Sequence, residues 1–152
     1  MSHEDRINAA GIVLPPPAKP AGNYRPAVRT GNLLFVSGQG PRLPDGTFGT
    51  GVVGQDVSVE DARYHARLCG LAILAAAKQE LGTLDSIVRV VKILGLVRGA
   101  PDFGEQPKVI DGCSNLFAEV FGENGVGARS AIGAGSLPRG ITTEVEAVFE
   151  VL

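Results

Sequence analysis

Residues 127–152 read GARSAIGAGSLPRGITTEVEAVFEVL. Two apolar segments flank a turn-forming Pro-Arg-Gly, which predicts two strands, Arg129 to Ser136 and Ile141 to Val151, joined as a hairpin. In the second strand Ile141, Thr143, Val145, Ala147, Phe149 and Val151 share one face. Thr142, Glu144, Glu146, Val148 and Glu150 share the other. Arg129 stands at the mouth of a small, apolar strand, and Glu144 and Glu146 lie together on the next. The Leu137-Pro138 turn is expected to fix the register and bring Arg129 and Glu144 towards one cleft.

Upstream, DSIVRVVKILGLV (residues 85–97) is dense in β-branched residues and predicts a strand in the middle of a sheet. Neither of its faces is convincingly polar. Between it and the C-terminal strands, Val109, Ile110, Cys113, Leu116, Phe117, Val120 and Phe121 form a helical stripe. Pro107 suits the first turn of that helix, and Gly122 its end. A second helix is predicted from Ser58, with Asp61 at the third helical position, to a stop at Gly82; its inner face is rich in alanine. Ala27-Val28-Arg29 and Leu33 to Ser37 predict a hairpin turning at TGN. One further short strand is possible in the glycine-rich loop after it. Residues 1–23, with LPPPAKPAGN, predict an extended, proline-rich arm.

The order is β-β-α-β-α-β-β, a single α+β domain over residues 1–152 with two helices on one face of a mixed sheet. An apolar second sheet face predicts self-association, for which a closed ring of identical subunits is one solution.

Composition narrows the function. The chain has 152 residues, 44% hydrophobic and 20% charged, with a net charge of −2. That balance predicts a folded, soluble protein and gives no basic footprint for nucleic acid. No apolar run approaches a membrane span, and the charged N-terminus does not read as a signal peptide. Cys69 and Cys113 fall on the apolar stripes of their helices, so buried structural thiols in a reducing compartment, the cytoplasm, are expected. With His3 and His65 they make no metal-ligand spacing, and no metal or cofactor is predicted. His65 faces inwards on its helix, as a core histidine does.

Three segments together carry a resemblance. NYRPAVRTGNLLFVSGQGP (23–41), LDSIVRVVKILGLVRGAPDF (84–103) and GARSAIGAGSLPRGITTEVEAV (127–148) resemble, in the same order, the signature segments of the YjgF/RidA family. The resemblance implies a fold akin to the AroH-type chorismate mutase, a homotrimer, and ligand sites in the clefts between subunits. It implies hydrolysis of reactive enamines and imines such as 2-aminoacrylate to a keto acid and ammonia. QPKVIDGCSNLFAEVFGE (106–123) is similar to a longer, chorismate-mutase-like subgroup.

Transferred onto this sequence, the family pattern makes Arg129 the clamp for a substrate carboxylate and Glu144 the residue that holds the attacking water. A guanidinium fork suits the first role and a carboxylate the second. Tyr24 would wall the cleft and donate a hydrogen bond. Ser37, Gly38 and Gln39 form the SGQ element, where glycine permits close approach. Ala131 stands where some members have cysteine, its contact being made by backbone. Ser114 falls near the shorter members' cleft asparagine, a departure that bears on the substrate. Plainer readings stand beside these: Arg129 as a surface arginine, Glu144 as a solvated strand residue or an ion-pair partner of Arg129, Tyr24 as a packing residue, SGQ as a turn. The alternative function is a non-catalytic module that binds small carboxylates or keto acids in the same cleft. An RNA-cleaving role is opposed by the charge and by an aromatic content of 5%. A mutase activity would rest on fold analogy alone.

Overall fold

The computed structural model describes all 152 residues. Five strands form one sheet: β1 (Ala27–Thr30), β2 (Leu33–Gln39), β3 (Ile87–Arg98), β4 (Ala128–Ala134) and β5 (Thr143–Val151). The sheet order is β1-β2-β5-β3-β4; only β3 and β4 run parallel. Helices α2 (Val59–Leu81) and α3 (Gln106–Phe121) cover one face, and a short α1 (His3–Ala9) packs beside them.

The helix signals act as expected. Ser58 Oγ accepts the Asp61 N–H at 3.1 Å, and Gly82 closes α2 at φ 82°. Gly112 lets α3 lie close to α2: a Cβ there would stand 1.9 Å from the Arg63 carbonyl oxygen. The helices thus touch backbone to backbone. Beneath them Phe117 and Phe121 meet Phe149 of β5 with centroids 5.7 and 6.1 Å apart. Thr143, Val145, Ala147, Phe149 and Val151 are all buried on this side, as the alternation predicts.

Two expectations are corrected. The C-terminal strands are not a hairpin. β5 is inserted between β2 and β3, and β4 pairs instead with the far edge of β3, from Lys92↔Ala128 to Arg98↔Ala134. A twelve-residue β3 that is apolar on both sides takes a neighbour on each edge, and α3 supplies the crossover that a parallel β3–β4 pair requires. The segment 135–142 is therefore a connection across the end of the sheet.

Second, the N-terminal arm is not extended throughout. Ser2 and Asp5 form a capping box at the start of α1, and Ile7 is buried. Glu4 fixes the helix to the body, accepting the Leu84 N–H at 2.9 Å and pairing with Lys78 at 2.9 Å. Burial works against its ionisation, but the Leu84, Lys78 and Thr83 contacts outweigh it and hold the carboxyl below its ordinary pKa. Between β2 and α2 the chain makes isolated bridges, such as Arg42↔Phe48 and Thr50↔Ile141, rather than another strand.

Much of the sheet face away from the helices is open. Val28, Phe35 and Ile132 stand 49%, 46% and 49% exposed on it, which is the apolar second face anticipated from the sequence. No helix is long and apolar enough to cross a membrane.

Candidate functional site

The arm and one end of the sheet enclose a groove of about 630 Å³. Tyr24, Ser37, Gly38 and Glu144 line it, together with Gln39 and Glu146. Each is placed by a local cause. The β2–β5 register slips between Val36 and Gln39, and this irregularity carries Ser37 and Gly38 to the groove. Ser37 Oγ donates to the Arg25 carbonyl at 2.6 Å, tying β2 to the incoming arm. Tyr24 Oη accepts the Ala21 N–H at 3.2 Å, which leaves its own proton available to a ligand.

Gly38 owes its identity to Glu144. A Cβ there would lie 2.8 Å from Glu144 Oε2, so the carboxylate rests directly on a bare backbone. Glu144 projects from β5 on the face away from the helices. Burial raises its pKa above the ordinary glutamate value, and the neighbouring Glu146 raises it further. A carboxylate with heightened proton affinity in a solvent-accessible groove is suited to accept a proton from water.

Arg129, Ser114 and Ala131 are elsewhere. None of them lines the groove. Arg129 pairs with Ile93 across the β4–β3 ladder and points to the helix side, where its Nη1 donates to Asp111 Oδ1 at 2.6 Å and to Ser114 Oγ at 3.2 Å. Both contacts run through one nitrogen, so the Nε/Nη2 edge of the fork remains for another acceptor. Ala131 lies opposite Gly95 on the same side, packed against the core. The predicted residues therefore form two groups within one chain: Tyr24, Ser37, Gly38 and Glu144 in the groove, and Arg129 with Ser114 at the β4–α3 edge. The expected approach of Arg129 to Glu144 does not occur inside the subunit, because β3 separates their strands and their side chains leave opposite faces.

Asp111 is a partner that the sequence reading missed; its only signal is its position three residues before Ser114 on α3, the helical spacing that puts two side chains side by side. Arg42, Phe48 and Arg139 also line the groove unpredicted.

The remaining candidates are structural. His65 Nδ1 meets Thr142 Oγ1 at 2.7 Å, and burial lowers its pKa. Cys69 is fully buried, with Sγ 3.3 Å from Thr143 Oγ1, and burial pushes its thiol up to about 12. Burial also raises Cys113. Both cysteines are free. No three His, Cys, Asp or Glu side chains converge as metal ligands.

The family model described as "YjgF/chorismate mutase-like, putative endoribonuclease" matches residues 4–145. Protein TCP17 of Trypanosoma cruzi is 42% identical over 146 residues, 95% of this chain and 91% of its own. Among solved structures, a protein of unknown function from Agrobacterium tumefaciens is 44% identical with a TM-score of 0.88, covering 99% of this chain and 92% of that one. A protein from Shewanella oneidensis described as a putative endoribonuclease is 33% identical with a TM-score of 0.95, covering 99% and 100%.

Proposed function

Because the chain belongs to the YjgF/chorismate mutase-like family, we propose that it hydrolyses reactive enamines and imines of the 2-aminoacrylate type to a keto acid and ammonia, in clefts completed between the subunits of a homotrimer. The observation that carries this reading is the setting of Glu144: a carboxylate of raised proton affinity, seated on Gly38, in a groove with Tyr24 and Ser37.

The chemistry asks little of the protein beyond orientation. The enamine tautomerises to the imine. Glu144 takes a proton from a water whose oxygen attacks the imine carbon and delivers that proton to the imine nitrogen, returning to the carboxylate. The resulting carbinolamine expels ammonia as its hydroxyl becomes the carbonyl of the keto acid. No metal or covalent nucleophile enters this sequence. The substrate carboxylate falls to Arg129, whose free edge can form two parallel hydrogen bonds. Since Arg129 and Glu144 diverge within one chain, the site needs Arg129 from one copy and Glu144 from the next. The open apolar sheet face, with Val28, Phe35 and Ile132, supports association of copies.

The decisive assay generates 2-aminoacrylate with a serine dehydratase and follows pyruvate. The protein is expected to accelerate its release; a rate equal to that in buffer, with the protein folded, would remove the activity.

One observation favours a second reading, a non-catalytic binder of small carboxylates. Arg129 already has a carboxylate partner, Asp111 at 2.6 Å, which resembles an arginine held ready as a static anchor. On that reading Glu144→Ala leaves keto-acid binding intact and Arg129→Ala abolishes it.

A further inference from the structure

The groove that holds Glu144 also holds unpartnered positive charge. Arg42, from the loop after β2, and Arg139, from the connection before β5, both line it, and Lys19 of the arm joins them. The two guanidinium groups lie against one ring, with Arg42 Cζ 5.5 Å and Arg139 Cζ 5.0 Å from the Phe48 centroid. A cation–π contact of this kind orders a guanidinium while leaving its N–H groups free to donate. Neither arginine belongs to any of the five ion pairs of the chain, which involve Arg67, Lys78, Arg89, Lys108 and Arg129. Nor do they neutralise the carboxylates of the groove: burial and Glu146 set the shift of Glu144, and no arginine opposes them.

The backbone is also unusual here. Arg139 is the one non-glycine residue of the chain with positive φ, at 59°. Glycine would occupy that conformation without steric cost, whereas a side chain there carries strain. The connection is pinned around it: the Gly140 N–H donates to the Leu137 carbonyl at 3.0 Å, and Arg98 Nη1 donates to the Gly140 carbonyl at 3.3 Å.

We propose that Arg42 and Arg139, ordered on Phe48, form a second carboxylate clamp in the Glu144 groove, so that the preferred ligands are dicarboxylates: imines of acidic amino acids and the keto diacids they yield. This rests on the reading of the groove as the substrate site. Arg129 of one copy would take the carboxylate next to the reacting carbon, and the Arg42–Arg139 pair the distal one.

The test is calorimetric titration of the full-length protein with 2-oxoglutarate and with 2-oxobutanoate, at matched ionic strength. The wild type is expected to bind the diacid about tenfold more tightly, as one additional charge-assisted contact allows. In Arg42→Gln/Arg139→Gly that preference should fall to less than about twofold while 2-oxobutanoate binding is retained. Arg139→Gly places glycine in a conformation that it adopts freely, so folding is kept, and this variant alone should lose part of the preference. Equal affinities in the wild type, or a preference that survives the double substitution, would overturn the clamp. So would tighter binding of 3-phosphoglycerate than of either keto acid, which would make the ligand group a phosphate. Failure of the deaminase reading is separate: no acceleration of imine hydrolysis with the diacid preference intact.

Discussion

Arg129 and Glu144 leave opposite faces of the sheet, with the whole of β3 between their strands. Fifteen residues of sequence separate them, yet a single subunit cannot bring both to one ligand. Arg129 is held by Asp111 and Ser114 on the helix side, and Glu144 rests on Gly38 in the groove on the other. This divergence makes association of copies part of the functional proposal.

Glu144 should cost the fold stability at neutral pH. Folding raises its pKa through burial and through Glu146, so the native state holds that proton more tightly than the unfolded chain does. The cost is absent at pH values below the unfolded carboxylate range and grows as the pH rises through it. Glu144→Gln should raise Tm at pH 7. With solvent in the groove the gain is modest, a few tenths of a kcal/mol, or about 1 °C for a chain of this length. The gain should vanish near about pH 3, where wild type and variant both carry a neutral side chain. Thermal melts of the pair across pH 3 to 8 measure it; a gain that grows on acidification would refute the assignment.

Gly38→Ala tests the seat of that carboxylate. The added methyl meets the end of a flexible side chain, 2.8 Å from Glu144 Oε2, so Glu144 must swing aside. Stability should fall by less than ~1 kcal/mol, while the rate of imine hydrolysis falls by roughly tenfold to a hundredfold through misplacement of the base. Equal losses of stability and rate would indicate a merely structural glycine.

Gly112→Ala should behave in the opposite way. Here the methyl meets backbone, 1.9 Å from the Arg63 carbonyl, and neither helix can yield easily. A loss of about 3 kcal/mol or more is expected, with α2 and α3 forced apart. Urea denaturation gives the value, and a change below about 1 kcal/mol would contradict the backbone contact between the helices.

The thiols should be inert until the protein unfolds. Cys69 and Cys113 are fully buried, and burial pushes Cys69 up to about 12. A disulfide-exchange reagent at pH 8 should titrate neither cysteine in the native state and both in denaturant. Rapid labelling of the native protein would show that α2 and α3 open.

Much of the architecture was legible because local and tertiary signals agree. Ser58 with Asp61, Gly82, Pro107 and Gly122 marked the ends of α2 and α3, and the alternation from Thr143 to Val151 marked the buried face of β5. What failed was pairing. The Pro-Arg-Gly at 138–140 has the chemistry of a hairpin turn, but strand order is set by which edges β3 can fill, and no local residue encodes that. The helix α1 was hidden by the proline-rich stretch that follows it, although Ser2 and Asp5 carry its cap. In the site, Tyr24, Ser37, Gly38 and Glu144 line one groove, while Arg129, Ser114 and Ala131, expected in the same cleft, lie at the β4–α3 edge. Asp111, Arg42, Phe48 and Arg139 were not anticipated, because each acts through a neighbour distant in sequence: Asp111 through Arg129, and the two arginines through Phe48.

The central claim is that the site needs Arg129 and Glu144 from different copies, and subunit mixing tests it most directly. Arg129→Ala and Glu144→Ala, each inactive alone in pyruvate release from 2-aminoacrylate, would be unfolded together, refolded as a mixture and assayed. Random assembly into closed rings restores intact clefts at roughly a quarter of the positions, so about a quarter of the wild-type rate is predicted. A mixture as inactive as either variant alone, with mixed oligomers present, would contradict the account.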